Sequence, residues 1–292
     1  MLHDDKEEFL KVLERTSAQT GFPLRLLEKD YYLTIVLSGA NELSKNLVFK
    51  GATCMSKVYY SYYRLSEDLD FTLKIPAGKV TRTARRNAIK PIKDALKNFL
   101  KDFGMSTGNS DKAGHNESTQ YDYHLDYSSV VLDKKESIKL EIGLRFNPLL
   151  PDVTKKVNHK FLHPFTKEPL FDGGSVKCLA LKELVAEKLR ASATRKIIAT
   201  RDFYDLGFLV REGFNFKDNK LLLLFKKKLE EDGFSSDLKE YSINLGRTDE
   251  EIEEMKSKTE SELYSVLTID EQKRYDLKKT LDELNKIFKN IE

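Results

Sequence analysis

Asp68 and Asp70, separated by a single leucine in Ser66-Glu67-Asp68-Leu69-Asp70-Phe71-Thr72-Leu73, constrain this chain more than any other feature. The stretch reads as a strand, in which residues i and i+2 share a face. Leu69, Phe71 and Leu73 then turn toward a core while the two carboxylates stand together on the other side. Like charges held that close repel each other unless a cation lies between them. A hard ion such as Mg²⁺, which takes one or two carboxylates plus substrate phosphates, suits the pair. The bare acid-x-acid pattern is short and also describes a solvated strand edge, so the residues before it matter. Val48 and Phe49 read as the end of a buried strand, and Lys50-Gly51-Ala52-Thr53 supplies the small residues of a tight strand-to-helix turn. Gly51 lets the backbone approach a ligand closely. Met55, Val58, Tyr59 and Tyr62 follow at helical spacing, which places Thr53 and Ser56 in a first turn whose N–H groups and dipole favour phosphate. Residues 49–74 therefore read as a nucleotide-and-metal site.

Two segments together resemble a known family. Gly51-Ala52-Thr53, then Arg64 and Ser66-Glu67-Asp68-Leu69-Asp70-Phe71, is similar to the signature of the nucleotidyltransferase superfamily, and specifically of the AbiEii-like toxins of abortive-infection and toxin–antitoxin systems. Glu187-Lys188-Leu189 followed by Arg201-Asp202-Phe203-Tyr204-Asp205-Leu206 is similar to that family's downstream motif. The motifs span roughly residues 49–209. One departure is Ala52, which stands where the family usually has a second glycine.

The resemblance implies an α/β (α+β) nucleotidyltransferase-like fold with a small mixed sheet flanked by helices and a helical C-terminal half. It implies Mg²⁺, or Mn²⁺ in its place, bound by Asp68, Asp70 and a third carboxylate. Asp122, Asp126 and Glu141 compete for that third place, and an Ile-Lys-Leu-Glu-Ile pattern favours Glu141. Gly51, Ala52, Thr53, Ser56, Lys57, Arg64, Ser66 and Asp205 are the substrate-binding positions it suggests. Lys188 would contact triphosphate or an active-site carboxylate, and Asp202 would orient a group or accept a proton. Without the resemblance, Lys188 on its apolar stripe is equally a lysine snorkelling to solvent, and the Arg201, Asp202, Asp205 set is a surface ion-pair group.

With 292 residues the chain can bury a substantial core. Its composition, 40% hydrophobic and 33% charged with a formal net charge of +3, fits a globular protein and does not by itself demand nucleic acid. Basic runs occur at Lys79–Arg86, at Lys155, Lys156 and Lys160, and at Lys226–Lys228. Two cysteines, Cys54 and Cys178, form no disulfide framework and suit a reducing compartment. The N-terminus, MLHDDKEEFL, lacks the apolar core of a signal peptide, and no segment has the length to span a membrane. A cytoplasmic location is expected. His159 and His163 lie four apart, but Pro164 and the intervening residues suggest a loop rather than a zinc site.

Along the chain, apolar periodicity predicts helices over residues 6–18, 23–37, 81–103 and 175–195, and another opening at Thr200. Strands are predicted over 121–127 and 138–146 by strict alternation, separated by a turn at 133–135 and preceded by a polar, mobile loop over 104–120. Residues 221–229, 249–267 and 270–291 read as charged amphipathic helices. The expected division is a nucleotidyltransferase-like domain over residues 1–170 and a helical domain over 171–292.

The expected function is a metal-dependent nucleotidyltransferase toxin, moving a nucleoside monophosphate from a nucleoside triphosphate to RNA, foremost the tRNA 3′ end, with a separately encoded antitoxin as partner. A glycosyltransferase, a protein-modifying nucleotidyltransferase and a non-catalytic nucleotide-binding module are the alternatives.

Overall fold

The computed structural model describes residues 1–76, 81–108, 114–196, 199–245 and 248–289. Lys79 and Val80 of the first basic run, and residues 109–113 of the expected loop, lie outside them. The chain forms two compact units, Met1–Leu179 and Ala180–Glu292. The first ends at Leu179 rather than near residue 170, because Ser175–Cys178 is a strand of its sheet and not the start of a helix.

The first unit opens with α1 (Lys6–Thr20) and α2 (Leu24–Leu43). Asp5 caps α1 by accepting from the N–H groups of Glu7 and Glu8, and Gly21 closes it in the left-handed region. α2 runs six residues beyond the expected Leu37. Its Ser38-Gly39-Ala40 reads as a helix end in sequence, yet a Cβ on Gly39 would lie 2.7 Å from the Phe99 ring, so the glycine is where a second helix packs closely.

There follow β1 (Leu47–Lys50), the short helical turn α3 (Gly51–Cys54) continued as a π-helical turn over Met55–Tyr59, and β2 (Asp68–Leu73). Tyr62, expected on this helix, lies beyond its end. Next come α4 (Arg82–Lys101), which carries Pro91 and packs on α2, then β3 (Ser106–Thr107), β4 (Gln120–Ser128), β5 (Lys135–Gly143), β6 (Val153–Lys156) and β7 (Ser175–Cys178). The seven strands form one mixed sheet in the order β3-β4-β5-β2-β1-β7-β6. β2 pairs antiparallel with β1 and parallel with β5. The alternating residues behave as the period of two requires: Leu69, Phe71, Leu73, Ile138, Leu140 and Ile142 are buried, and the polar residues between them face the other way.

The second unit is helical: α5 (Leu181–Thr194), α6 (Thr200–Arg211), α7 (Asn219–Glu231), α8 (Leu238–Leu245), α9 (Asp249–Lys258), α10 (Ile269–Arg274) and α11 (Leu277–Lys289). The expected single helix over 270–291 is interrupted at Tyr275, whose extended backbone ends α10. The one expected over 249–267 gives way after Lys258 to π- and 3-10-helical turns. α5 packs on α6 and α7, and α11 on α6 and α8.

Beneath the sheet-to-helix turn, Lys57 is about 1% exposed and donates to Asp30 Oδ1 at 2.7 Å, to Thr34 Oγ1 at 2.8 Å and to the Tyr62 hydroxyl. Burial lowers its pKa against the pull of Asp30. This enclosed pair ties the α3 segment to α2. Asp30→Ala, which would strand the ammonium without a carboxylate, should cost about 3–5 kcal/mol in denaturant unfolding, while the double variant Asp30→Leu/Lys57→Met should recover most of it. Equal losses in the single and double variants would show that the pair is not what holds the segment.

Candidate active site

Strand register builds the site. Lys50 pairs with Asp70, Asp70 with Glu141 and Glu141 with Asp122, so four strands place these side chains in one transverse row. Cα partners share a face. In the neighbouring row of the same face, Asp68 pairs with Lys139 and Lys139 with His124. Asp126, the other candidate third carboxylate, pairs with Ser137 and Ser106 and belongs to a different row. Glu141 thus stands directly beside Asp70, and Asp122 one strand farther on.

The row is short of positive charge at its centre. Asp70 is half-buried, and burial, followed by the Glu141 carboxylate, pushes its pKa up to about 6 against the pull of Lys50. Lys139 reaches Glu141 Oε2 at 2.9 Å and Asp122 Oδ2 at 3.4 Å. Sequence reading placed Lys139 on this polar face two residues from Glu141 but gave it no role; the signal was there, and the register that brings Asp122 alongside was not.

Gly51 is fixed by two requirements. Its φ of 76° lies in the left-handed region, and a Cβ there would sit 2.3 Å from Asp70 Oδ2. The start of α3 therefore lies against the Asp70 carboxylate. Thr53 donates its hydroxyl to the Asp68 carbonyl at 2.6 Å, pinning the turn to β2. Ala52 is half-exposed in the same turn, and Ser66 is half-buried just before β2. The other expected substrate contacts are placed inside the protein: Ser56 donates to the Arg64 carbonyl, Arg64 is about 1% exposed with Nη1 on the Leu65 carbonyl at 2.8 Å, and Lys57 belongs to the Asp30 pair. These three residues form the wall behind the turn.

In the helical unit, Lys188 Nζ lies 2.8 Å from both Asp202 Oδ1 and Asp205 Oδ2, and Arg195 Nη1 lies 2.7 Å from Asp202 Oδ2. Both aspartates are buried. Lys188 does not snorkel; it bridges α5 to two carboxylates of α6. Asp205 meets Lys188, and Arg201 reaches the Glu262 carbonyl.

The family model of the nucleotidyl transferase AbiEii toxin, type IV toxin–antitoxin system, matches residues 35–283. The chain belongs to this family. Its members' nucleotidyltransferase activity and toxin role thereby extend to this chain at that level of description, and a type IV system supplies an antitoxin partner. Among solved structures, MenT4, a nucleotidyltransferase toxin from Mycobacterium tuberculosis H37Rv, is similar with a TM-score of 0.58 at 16% identity over 94% of this chain and 98% of that one. JHP933 from Helicobacter pylori is similar with a TM-score of 0.50 at 20% identity over 92% of each chain. These likenesses are of fold. No curated protein sequence matches the chain.

An all-oxygen pair, Asp68 and Asp70, the latter with its proton affinity raised by burial and then by Glu141, fits a hard divalent cation. Among the described residues no three His, Cys, Asp or Glu side chains form a ready-made metal cage. The expected set of Asp68, Asp70 and Glu141 is thus not drawn together into a three-carboxylate cage.

Two outcomes follow for the site. In Gly51→Ala the strained φ costs about 1–2 kcal/mol, and the new methyl displaces the Asp70 carboxylate, so transfer activity should fall further than stability does. Asp70→Asn should act in the opposite sense on stability. Folded Asp70 keeps a proton up to about pH 6 that the unfolded chain releases near 3.8, so wild-type stability drains away as pH rises through that window. In chelator at pH 8, Asp70→Asn should be more stable by up to about 3 kcal/mol, with the gain shrinking as pH is lowered toward 4. Denaturant melts at both pH values check this, and a gain independent of pH would refute the assigned cause.

Proposed function

We propose that the chain transfers a nucleoside monophosphate from a nucleoside triphosphate to a hydroxyl at the 3′ end of an RNA, foremost a tRNA, with release of pyrophosphate, in the presence of Mg²⁺ or Mn²⁺. The observation that carries this reading is the transverse row in which β2 and β5 align Asp70 with Glu141 beside the Gly51 turn. Asp68 and Asp70 would hold the ion, with Glu141 alongside; such an ion would supply positive charge to the triphosphate and polarise the α-phosphorus. The backbone at Gly51 and Ala52 offers N–H groups of a helix start to the phosphates. The acceptor oxygen forms the new bond to the α-phosphorus in line with the pyrophosphate oxygen whose bond breaks, and the hydroxyl proton passes to a carboxylate of the row. In the helical unit, Lys188 stays paired with Asp202 and Asp205.

Exposed cations on the sheet-bearing unit support a polyanionic acceptor: Lys155 and Lys156 on the edge strand β6, and Arg82 and Arg86 at the start of α4. Blocking a tRNA 3′ end removes the hydroxyl that aminoacylation uses, which accounts for toxicity, and an antitoxin encoded separately would hold the activity in check. Among the described residues no helix is long and apolar enough to cross a membrane, and the substrates proposed here are those of the cytoplasm.

Incubation with each of the four α-labelled triphosphates and total RNA tests the proposal. Label should enter RNA of tRNA size and fall at least about 100-fold in Asp70→Ala. Expressed alone, the wild type should arrest bacterial growth with loss of tRNA charging, and Asp70→Ala at matched level should not. Label entering protein instead of RNA would overturn the acceptor assignment, and equal arrest by both proteins would overturn the catalytic account of toxicity.

A further inference from the structure

Two metal ions are the common arrangement for phosphoryl transfer between carboxylates, and the row Asp70, Glu141, Asp122 offers acids enough for two. The place between Glu141 and Asp122 is already filled. The Lys139 ammonium sits 2.9 Å from Glu141 Oε2, a charge-assisted hydrogen bond, and 3.4 Å from Asp122 Oδ2, an ion-pair distance. Its partners are themselves positioned. The other Asp122 oxygen accepts from Gln120 Nε2 at 3.1 Å, and the register that sets Asp70 against Glu141 also sets Lys139 directly beside Asp68. Lys139 therefore borders the acids on two adjoining strands.

Charge balance points the same way. The four carboxylates of the two rows, Asp68, Asp70, Glu141 and Asp122, face the ammonium groups of Lys139 and Lys50, which pair across the same sheet. The charge left over equals that of one divalent ion with opposite sign. A second divalent ion would leave the face positive before any triphosphate bound.

We propose that Lys139 supplies the second positive charge of this site, so that the chain binds a single divalent ion at Asp68 and Asp70 while Lys139 bridges Glu141 and Asp122 where a second ion would otherwise lie. The inference rests on the transfer reading above and deepens it by fixing the number of ions and the role of a residue to which the Ile-Lys-Leu-Glu-Ile pattern itself gives none. Glu141 and Asp122 are then held by a side chain and do not act as metal ligands.

The test counts ions. Mn²⁺ binding is followed by electron paramagnetic resonance and calorimetry on the intact chain, with and without a non-hydrolysable triphosphate analogue, in wild type, Lys139→Met and Lys139→Arg. Wild type and Lys139→Arg should bind one Mn²⁺ per chain. Lys139→Met, which keeps the stem and removes the charge, should gain a second. Transfer by Lys139→Met should fall about 100-fold at low Mg²⁺ and recover in part at high Mg²⁺, whereas a merely structural lysine would show no such metal-dependent rescue. Two ions in the wild type, or one ion in Lys139→Met with an unchanged melting temperature, would overturn the proposal. One ion in the wild type and two in Lys139→Met, without transfer to any acceptor, would sustain the Lys139 assignment and overturn the transfer reading instead.

Discussion

Like-charge crowding at Asp70 is the constraint around which the sheet-bearing unit is arranged. Strand pairing forces Asp70 beside Glu141, and the Gly51 turn closes over its Oδ2 so tightly that no side chain fits there. The protein keeps an acid in a position where burial and the neighbouring Glu141 disfavour its ionised form. Free energy withheld from folding in this way is available for binding, because a cation that lands on the Asp70 carboxylate relieves the repulsion as it binds. A site of this kind is preorganised for charge that arrives with the substrate.

The surroundings show how such a face is kept in shape. Thr53 is hydrogen-bonded to the Asp68 carbonyl, and behind it Ser56, Arg64 and the Lys57–Asp30 pair lock the turn onto the core. These polar residues act on chemistry through position. The buried pair also joins the turn to α2, so the wall that faces the carboxylates rests on one of the longest helices of its unit.

Much of this was legible in the sequence, and the limits have physical causes. Alternation of Leu69, Phe71 and Leu73 with acids can only be a half-buried strand, and the same period revealed β4 and β5. Family likeness then supplied the meaning of the acids. The family likeness makes Ser56, Lys57 and Arg64 substrate-binding positions, because polar residues near a glycine turn look the same whether they face solvent or one another; only packing distinguishes them. Ser175–Cys178 joined a helical reading because four residues before a helix carry too little period to separate the two structures. Lys139 escaped notice because its role depends on cross-strand register, which brings Asp122 to Glu141 from a separate strand. The link between Lys188 and both Asp202 and Asp205 was half visible: the motif named the residues, and the helix pairing showed that the lysine is held and not free to reach solvent.

The account stands or falls on the charge state of one side chain. Carboxyl-carbon NMR of the intact protein, with Asp70→Asn used to assign the Asp70 resonance, measures its pKa in chelator and again with saturating Mg²⁺. The structure predicts a value of about 6 without the ion and a fall below the ordinary aspartate value once Mg²⁺ is present. An ordinary value in chelator that Mg²⁺ leaves unmoved would contradict both the crowding at Asp70 and the place assigned to the ion.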